Sequence, residues 1–462
     1  MKLFIKTTLS VFCAMLDWLL RLRHVSCETR LGFFSACRDA AREFYHNGRV
    51  PEAAVCNDAD VLGRTLSAPG KPRILVDVTQ MVKINGRSGI QRVVVRILDA
   101  MLPDDRCVYV PVANFNGHMY YVEYHQKDCS FHLTECLRLM KADTLLMLDS
   151  SWDSYDAFRK IFKQLRSLGG KICVAVYDLG PVLCPRYANV GVPKMFDSWL
   201  RAAVLEADEM LCISKTVADQ LRDYIIRHSL PRSAAALKIG HFYLGADFAQ
   251  EEVQLVDWQV AEIAHRLKSK KKFLSVSTLE PRKNYDFMLQ VMEKLWEREF
   301  DVVYFIVGRK GWKSDELIRK ITGHPELNKR LFWFPCCNDG TLQLLYRSAD
   351  VLLNLSHDEG FGLSLVEGAL HHCALIASDI PVFREVLTDH TVLFCNIDSL
   401  EETVESIAAR LEADQFVPSE AKCWLWQDSL TQILDALLHD RWDFTVEKKS
   451  EGTERDGSTG NC

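Results

Sequence analysis

The feature that most constrains the fold is a strand–helix alternation that runs twice along the chain. The first run opens at residues 73–79, where Ile74, Leu75, Val76 and Val78 form the near-continuous apolar pattern of a buried strand. A glycine turn containing Gly86 and Gly89 and a helix over 91–102 follow. Further strands are expected at 108–112, 145–148, 172–177 and 209–213, with helices over 153–168, 194–207 and 216–226. The charged stretch 267–272 closes a connector, and a second run starts with a strand at 273–277 and a helix over 284–299. Its later strands are expected at 302–307, 331–334, 351–355, 374–377 and 392–394, with helices including 340–348 and 381–387. Such alternation implies α/β architecture with parallel sheets covered on both faces.

The expected organisation is therefore two Rossmann-like doubly wound domains facing across a cleft, over 71–250 and 265–420. An N-terminal helical extension and connector (1–70) precede them. A helix within 421–444 (over 426–439) is placed to pack across the junction. Residues 445–462, rich in Glu, Lys, Gly, Ser and Thr, read as a disordered tail.

With 462 residues, 48% hydrophobic content and a formal charge of −6, the chain suits a globular protein and gives no reason to expect nucleic acid as a partner. The sixteen cysteines are scattered without a C-x-x-C pair, which fits reduced thiols in a cytoplasmic protein. Near the N-terminus, Leu9, Phe12, Cys13, Leu16, Leu19 and Leu20 follow helical spacing, while Lys6 and Asp17 interrupt the run as a signal peptide. Such an amphipathic helix either rests peripherally on an anionic membrane surface or packs against the protein's own body.

Chemistry concentrates at the ends of the expected strands. After the apolar run 351–355 come Glu359, the turn Gly360-Phe361-Gly362, then Leu363 and, inside a helix, Glu367. Backbone N–H groups at a helix start favour electron-rich groups, and carboxylates accept hydrogen bonds from hydroxyls, so a nucleotide sugar suits the pattern. An ordinary helix-start acid accounts for Glu359 well. It accounts for Glu367 less well, because Leu363, Leu365, Val366 and Leu370 leave little room for a polar face. Arg282 and Lys283 stand between a strand and a helix, where they suit a diphosphate or form a plain solvated pair. Gly308 ends a strand and lets backbone approach the same cleft. Gly86 to Gly89 is either a phosphate-facing turn assisted by Arg92 or a simple tight turn, and it lacks the dinucleotide pattern. Tyr177 and Asp178 are expected to project into the cleft towards an acceptor hydroxyl, with a capping role for Asp178 as the alternative.

Together these residues resemble a known family. Gly86–Gly89 with Ile90-Gln-Arg-Val-Val94, Tyr177-Asp-Leu-Gly-Pro181, Phe242-Tyr-Leu-Gly-Ala-Asp247, Glu280-Pro-Arg-Lys-Asn284, Glu359-Gly-Phe-Gly-Leu363 with Glu367, and Asp379-Ile-Pro-Val-Phe-Arg-Glu385 occur in order. The chain looks like a family-4 retaining glycosyltransferase of GT-B fold, over about residues 73–435. The nearest branch is the bacterial one that builds O-antigen, capsule or exopolysaccharide, with mannosyl- or rhamnosyltransferases. The resemblance implies that Glu367 binds the nucleotide ribose, and that Glu359 with the amides of Gly360 to Leu363 holds the donor sugar. It also implies that Arg282 and Lys283 clamp the diphosphate beside Gly89. Tyr177 stands where many relatives have His, and Ser364 where many have Pro. The first difference leaves acceptor activation open. The implied donor is a nucleotide diphosphate sugar and the acceptor a glycan or lipid-linked glycan; no cofactor is expected. No pair of metal-binding aspartates stands at a suitable strand end, so metal independence is expected. A nucleotide-sugar epimerase, a phosphorylase and a non-catalytic nucleotide- or glycan-binding scaffold are the alternatives on this architecture.

Overall fold

The computed structural model describes residues 61–62, 68–84, 89–152, 154–230, 236–248 and 256–447. The expected N-terminal helix, residues 85–88 of the glycine turn and the chain beyond 447 lie outside the described residues.

The front lobe is built on β1 (Val61–Leu62), β2 (Arg73–Asp77), β3 (Val108–Phe115), β4 (His118–His125), β5 (Ser130–Cys136), β6 (Thr144–Met147), β7 (Lys171–Val176), β8 (Glu209–Cys212) and β9 (Ala236–His241). The order β3-β2-β6-β7-β8-β9 is parallel throughout. All five residues of β2 are buried, as a central parallel strand covered on both faces requires. Antiparallel strands extend the sheet at both ends. On one side β4 pairs with β3, and β5 and β1 both pair with β4. This β4–β5 hairpin was not expected from the sequence.

The rear lobe holds β10 (Lys271–Val276), β11 (Val302–Val307), β12 (Leu331–Phe334), β13 (Val351–Asn354), β14 (Ala374–Ser378) and β15 (Leu393–Cys395), all parallel in the order β12-β11-β10-β13-β14-β15. Helices start where side-chain oxygens are ready to accept from the first free N–H groups. Ser214, Asp257, Asn338 and Ser399 cap helices Lys215–Arg227, Trp258–Arg266, Asp339–Ser348 and Leu400–Glu412. Each cap contributes about 1 kcal/mol.

Helix Trp426–His439 leaves the rear lobe and lies on the front lobe. Trp426 N donates to Asp247 Oδ1 at 2.8 Å, and Ser429 Oγ donates to Tyr243 O at 2.7 Å. β16 (Phe444–Glu447) then pairs antiparallel with β9 and ends the front sheet. This corrects the expectation of a tail without structure from residue 445. The short segment has no buried-strand pattern of its own; the unpaired edge of β9 supplies its partner. One apolar cluster runs through both lobes and this helix, and includes Phe242, Leu244, Phe361, Phe383, Trp426 and Leu430.

Candidate active site

The centre of the site is Glu359, which follows β13 and is 7% exposed. Its Oε1 accepts from Lys283 Nζ at 2.5 Å and from Ser356 Oγ at 3.0 Å, and its Oε2 accepts from Arg282 Nη1 at 3.1 Å. Burial pushes this carboxyl up, but Lys283 and Arg282 outweigh it and hold it at about 2. Arg282 also donates to Asp358 O at 2.8 Å and lies 3.8 Å from Asp178 of the front lobe. The basic pair and the first acid, 76 and 77 residues apart in the chain, thus form one cluster.

Two further acids crowd these cations. Burial raises the Glu280 carboxyl to about 7, against the pull of Lys283 and Arg282. Burial, helped by Asp178, raises Asp358 to about 6. At neutral pH the cations therefore face Glu359 firmly ionised, Asp358 mostly ionised and Glu280 near half-protonated.

The turn after Glu359 is shaped by contact between the lobes. A Cβ on Gly360 would collide with the Tyr177 carbonyl oxygen, so only glycine lets the chains approach here. Gly360 O accepts from Ser214 Oγ at 2.8 Å. Gly362, at φ 93°, starts helix Leu363–Leu370 from the left-handed region. Phe361 is buried, with its ring 6.2 Å from both Tyr243 and Trp424, so only its backbone is available to a ligand. Leu363 is partly buried against the same core.

Glu367 is 2% exposed. Its Oε2 accepts from Tyr346 OH at 2.7 Å, and Arg92 of the front lobe brings Nη1 within 2.6 Å of its Oε1. Arg92, expected to assist a phosphate-facing glycine turn, is thus paired with this second acid.

The other expected residues divide. Asp178 lies 3.8 Å from Arg282 of the cluster, and its Oδ1 accepts from Gly180 N at 3.2 Å. Tyr177 is corrected: its hydroxyl donates to Leu148 O at 2.7 Å inside the front lobe, and only its carbonyl meets the rear lobe. A buried phenol with an acceptor in its own lobe has no reason to turn outwards. Gly308 is required by close packing on Ser277 O and bonds within the rear lobe to Phe334 O. Gly89 is exposed at the start of helix Gly89–Met101, with open space where a side chain would stand.

Sequence reasoning gave no role to Glu385, which reaches the front lobe and accepts from Lys215 N and Thr216 N, both at 2.7 Å. Its motif was visible but its partner was not. It also missed Trp312 and Lys313, which donate to Tyr187 O and Ala188 O of the front lobe, both at 2.9 Å. Tyr346 carried no sequence signal.

Two facing doubly wound lobes, with this site at the strand ends of the rear one, define a GT-B fold. Solved structures agree on the fold. One titled trehalose-6-phosphate from E. coli bound with UDP-2-fluoro glucose matches with a TM-score of 0.51 at 13% identity, covering 80% of this chain and 96% of that one. An alpha,alpha-trehalose-phosphate synthase (UDP-forming) from Burkholderia vietnamiensis matches with a TM-score of 0.51 at 11% identity, covering 80% and 98%.

The chain matches the family Glycosyl transferases group 1 over residues 259–420, most of the rear lobe. It is 30% identical over 379 residues to the serotype-specific mannosyltransferase WbdA of Escherichia coli, covering 79% of this chain and 45% of the relative. It is 29% identical over 140 residues to the O-antigen chain mannosyltransferase RfbU of Salmonella typhimurium, covering 30% of this chain and 38% of the relative. The chain spans a little under half the length of the Escherichia coli relative.

Proposed function

We propose that the chain transfers a hexose, mannose or a similar sugar, from a nucleotide diphosphate sugar to a hydroxyl of a growing surface polysaccharide or lipid-linked glycan. The carrying observation is the cluster of Glu359, Arg282 and Lys283 at the lobe junction, with Glu367 eight residues beyond Glu359. Similarity to O-antigen mannosyltransferases supports the substrate class.

In this reading Glu359 and the amides of Gly360 to Leu363 hold the donor sugar, and Glu367 accepts from the ribose hydroxyls. Arg282 and Lys283 stabilise the diphosphate as charge develops on it. Two cations already aimed at that position do the work a divalent ion would do, which supports metal independence. Glu359 is engaged by both cations and is not poised to attack, which supports a front-face displacement with retained configuration. The C1–O bond to the diphosphate breaks, the acceptor oxygen bonds to C1 on the same face, and the acceptor proton passes to the departing phosphate oxygen. Asp178, on the front lobe, orients the acceptor hydroxyl. Approach of the lobes excludes water and limits donor hydrolysis.

The chain would act in the cytoplasm, where nucleotide sugars are made, and a lipid-linked acceptor would bring it to the membrane face. No helix among the described residues is long and apolar enough to cross a membrane. The test is a panel of GDP-, UDP- and dTDP-hexoses with mannoside acceptors, followed by product analysis. Acceptor-dependent transfer that Lys283→Ala and Glu359→Ala each reduce by at least about a hundredfold is expected. Sugar interconversion without an acceptor, or turnover untouched by both changes, refutes the assignment.

A further inference from the structure

The contact between Arg92 and Glu367 is close but incomplete. Nη1 lies 2.6 Å from Oε1, yet Arg92 Nε and Glu367 Oε1 are both buried without an aligned hydrogen-bond partner. Arg92 Nε is a donor lacking an acceptor, and Glu367 Oε1, held by the Arg92 charge alone, keeps lone-pair capacity for a well-aligned donor. Leaving a buried donor such as Nε without an acceptor costs about 1–3 kcal/mol. A single hydroxyl group, which accepts and donates at once, is the complement of both.

The surroundings hold this pair in place. The Arg92 guanidinium lies over the Phe248 ring, 4.8 Å from its centroid. Phe248 packs edge-on to His371 at 5.4 Å, and His371 stacks on Tyr346 at 5.3 Å. Tyr346 in turn fills Glu367 Oε2. The charged and titratable groups facing Glu367 are Arg92 and Arg96 of helix Gly89–Met101, Asp339 and Tyr346 of helix Asp339–Ser348, and His371 after its own helix. Burial pushes the Glu367 carboxyl up, and Arg92 is the largest influence opposing it.

We propose that Arg92 is a specificity-determining residue contributed by the front lobe: it donates through Nε to the oxygen of one ribose hydroxyl whose proton goes to Glu367 Oε1. This rests on the assignment of Glu367 to the ribose made above and adds the second half of that subsite. It names the substrate class more narrowly, as ribonucleotide and not deoxyribonucleotide donors. Because Arg92 and Glu367 come from different lobes and their facing atoms are out of solvent, the hydroxyl enters only as the lobes part. Donor exchange is thereby tied to lobe motion.

The test is calorimetric titration of the full chain and of Arg92→Gln with GDP and UDP, then with the 2′-deoxy and 3′-deoxy forms of whichever binds the wild type more tightly. For the wild type, one of the two deoxy forms is expected to bind at least about tenfold more weakly than the parent, as loss of a hydrogen bond to charged groups implies. In Arg92→Gln the parent should weaken by a similar factor and its advantage over that deoxy form should collapse. Equal affinity of the wild type for all three ligands overturns the proposal, and this arm decides alone if Arg92→Gln does not fold. Equal weakening of all three by Arg92→Gln also overturns it, as the mark of a purely structural residue. Failure of the wild type to bind either parent nucleotide removes the ribose assignment itself, and the proposal with it.

Discussion

Glu385 of the rear lobe holds the first turn of helix Lys215–Arg227 in the front lobe: its Oε2 accepts from Thr216 N at 2.7 Å while its Oε1 accepts from Lys215 N. The Thr216 hydroxyl donates to the same Oε2. The helix already has its own cap in Ser214, whose hydroxyl accepts from Val217 N and donates to Gly360 O across the junction. The first turn of one helix is thus the docking point for two rear-lobe segments, where the positive helix end favours a carboxylate.

Glu385→Ala should therefore loosen the lobes without unfolding either. The expected loss is about 1–2 kcal/mol of stability, read as a lower Tm by calorimetry. Small-angle scattering should give a larger radius of gyration than for the wild type. An unchanged Tm and radius would mean that this carboxylate does not hold the lobes together.

Gly360→Ala tests close approach at the site itself. Its methyl group has to displace the Tyr177 carbonyl, so the lobes should stop short of contact. Transfer is expected to fall by at least about tenfold, with thermal unfolding of the rear lobe near that of the wild type, because a small misplacement costs turnover heavily. Full activity in this variant would mean that the lobes need not meet here.

Acid stability should report Glu359. Its carboxyl is held down at about 2 from an ordinary 4.5, so its contribution is complete above pH 4.5 and is lost as pH falls through 2. That difference is worth on the order of 3 kcal/mol. Denaturant titrations from pH 6 to pH 2 should show a loss of stability that Glu359→Gln removes. Parallel slopes for the two chains would contradict the pairing with Lys283 and Arg282.

Glu280 should set the pH dependence of nucleotide binding. With its carboxyl raised to about 7, it is mostly neutral below that pH and ionised above it, where its charge opposes a diphosphate beside Arg282 and Lys283. Relative to Glu280→Gln, the wild type should bind nucleoside diphosphate progressively more weakly as pH rises from 6 to 8. A constant ratio between the two across that range would remove Glu280 from the site.

The parallel strands were legible because burial on both faces leaves dense apolar runs, such as Val302 to Val307 in β11. Helix Trp426–His439 was readable from its apolar spacing, and its packing follows from its position after the second run. The β4–β5 hairpin was not, since residues such as His118, Glu123, His125 and His132 break the apolar run of an edge ribbon. β16 depends on the exposed edge of β9 more than on its own residues. At the site, Glu359, Arg282 and Lys283 were identifiable because each stands in a strand-end turn. Arg92, Glu385 and Tyr346 take their roles from partners more than 20 residues away in the chain, and such pairings leave no local pattern. Tyr177 misled because a residue at a strand end can turn its hydroxyl back into its own lobe as readily as outwards.

The most direct measurement is a crystal structure of the chain with a bound nucleotide diphosphate sugar. The account predicts the diphosphate within hydrogen-bond distance of Arg282 and Lys283, the sugar against Glu359 and the turn from Gly360 to Leu363, and the ribose at Glu367. Ligand density elsewhere on the molecule, with Lys283 and Arg282 still closed on Glu359 at saturating concentration, would contradict it.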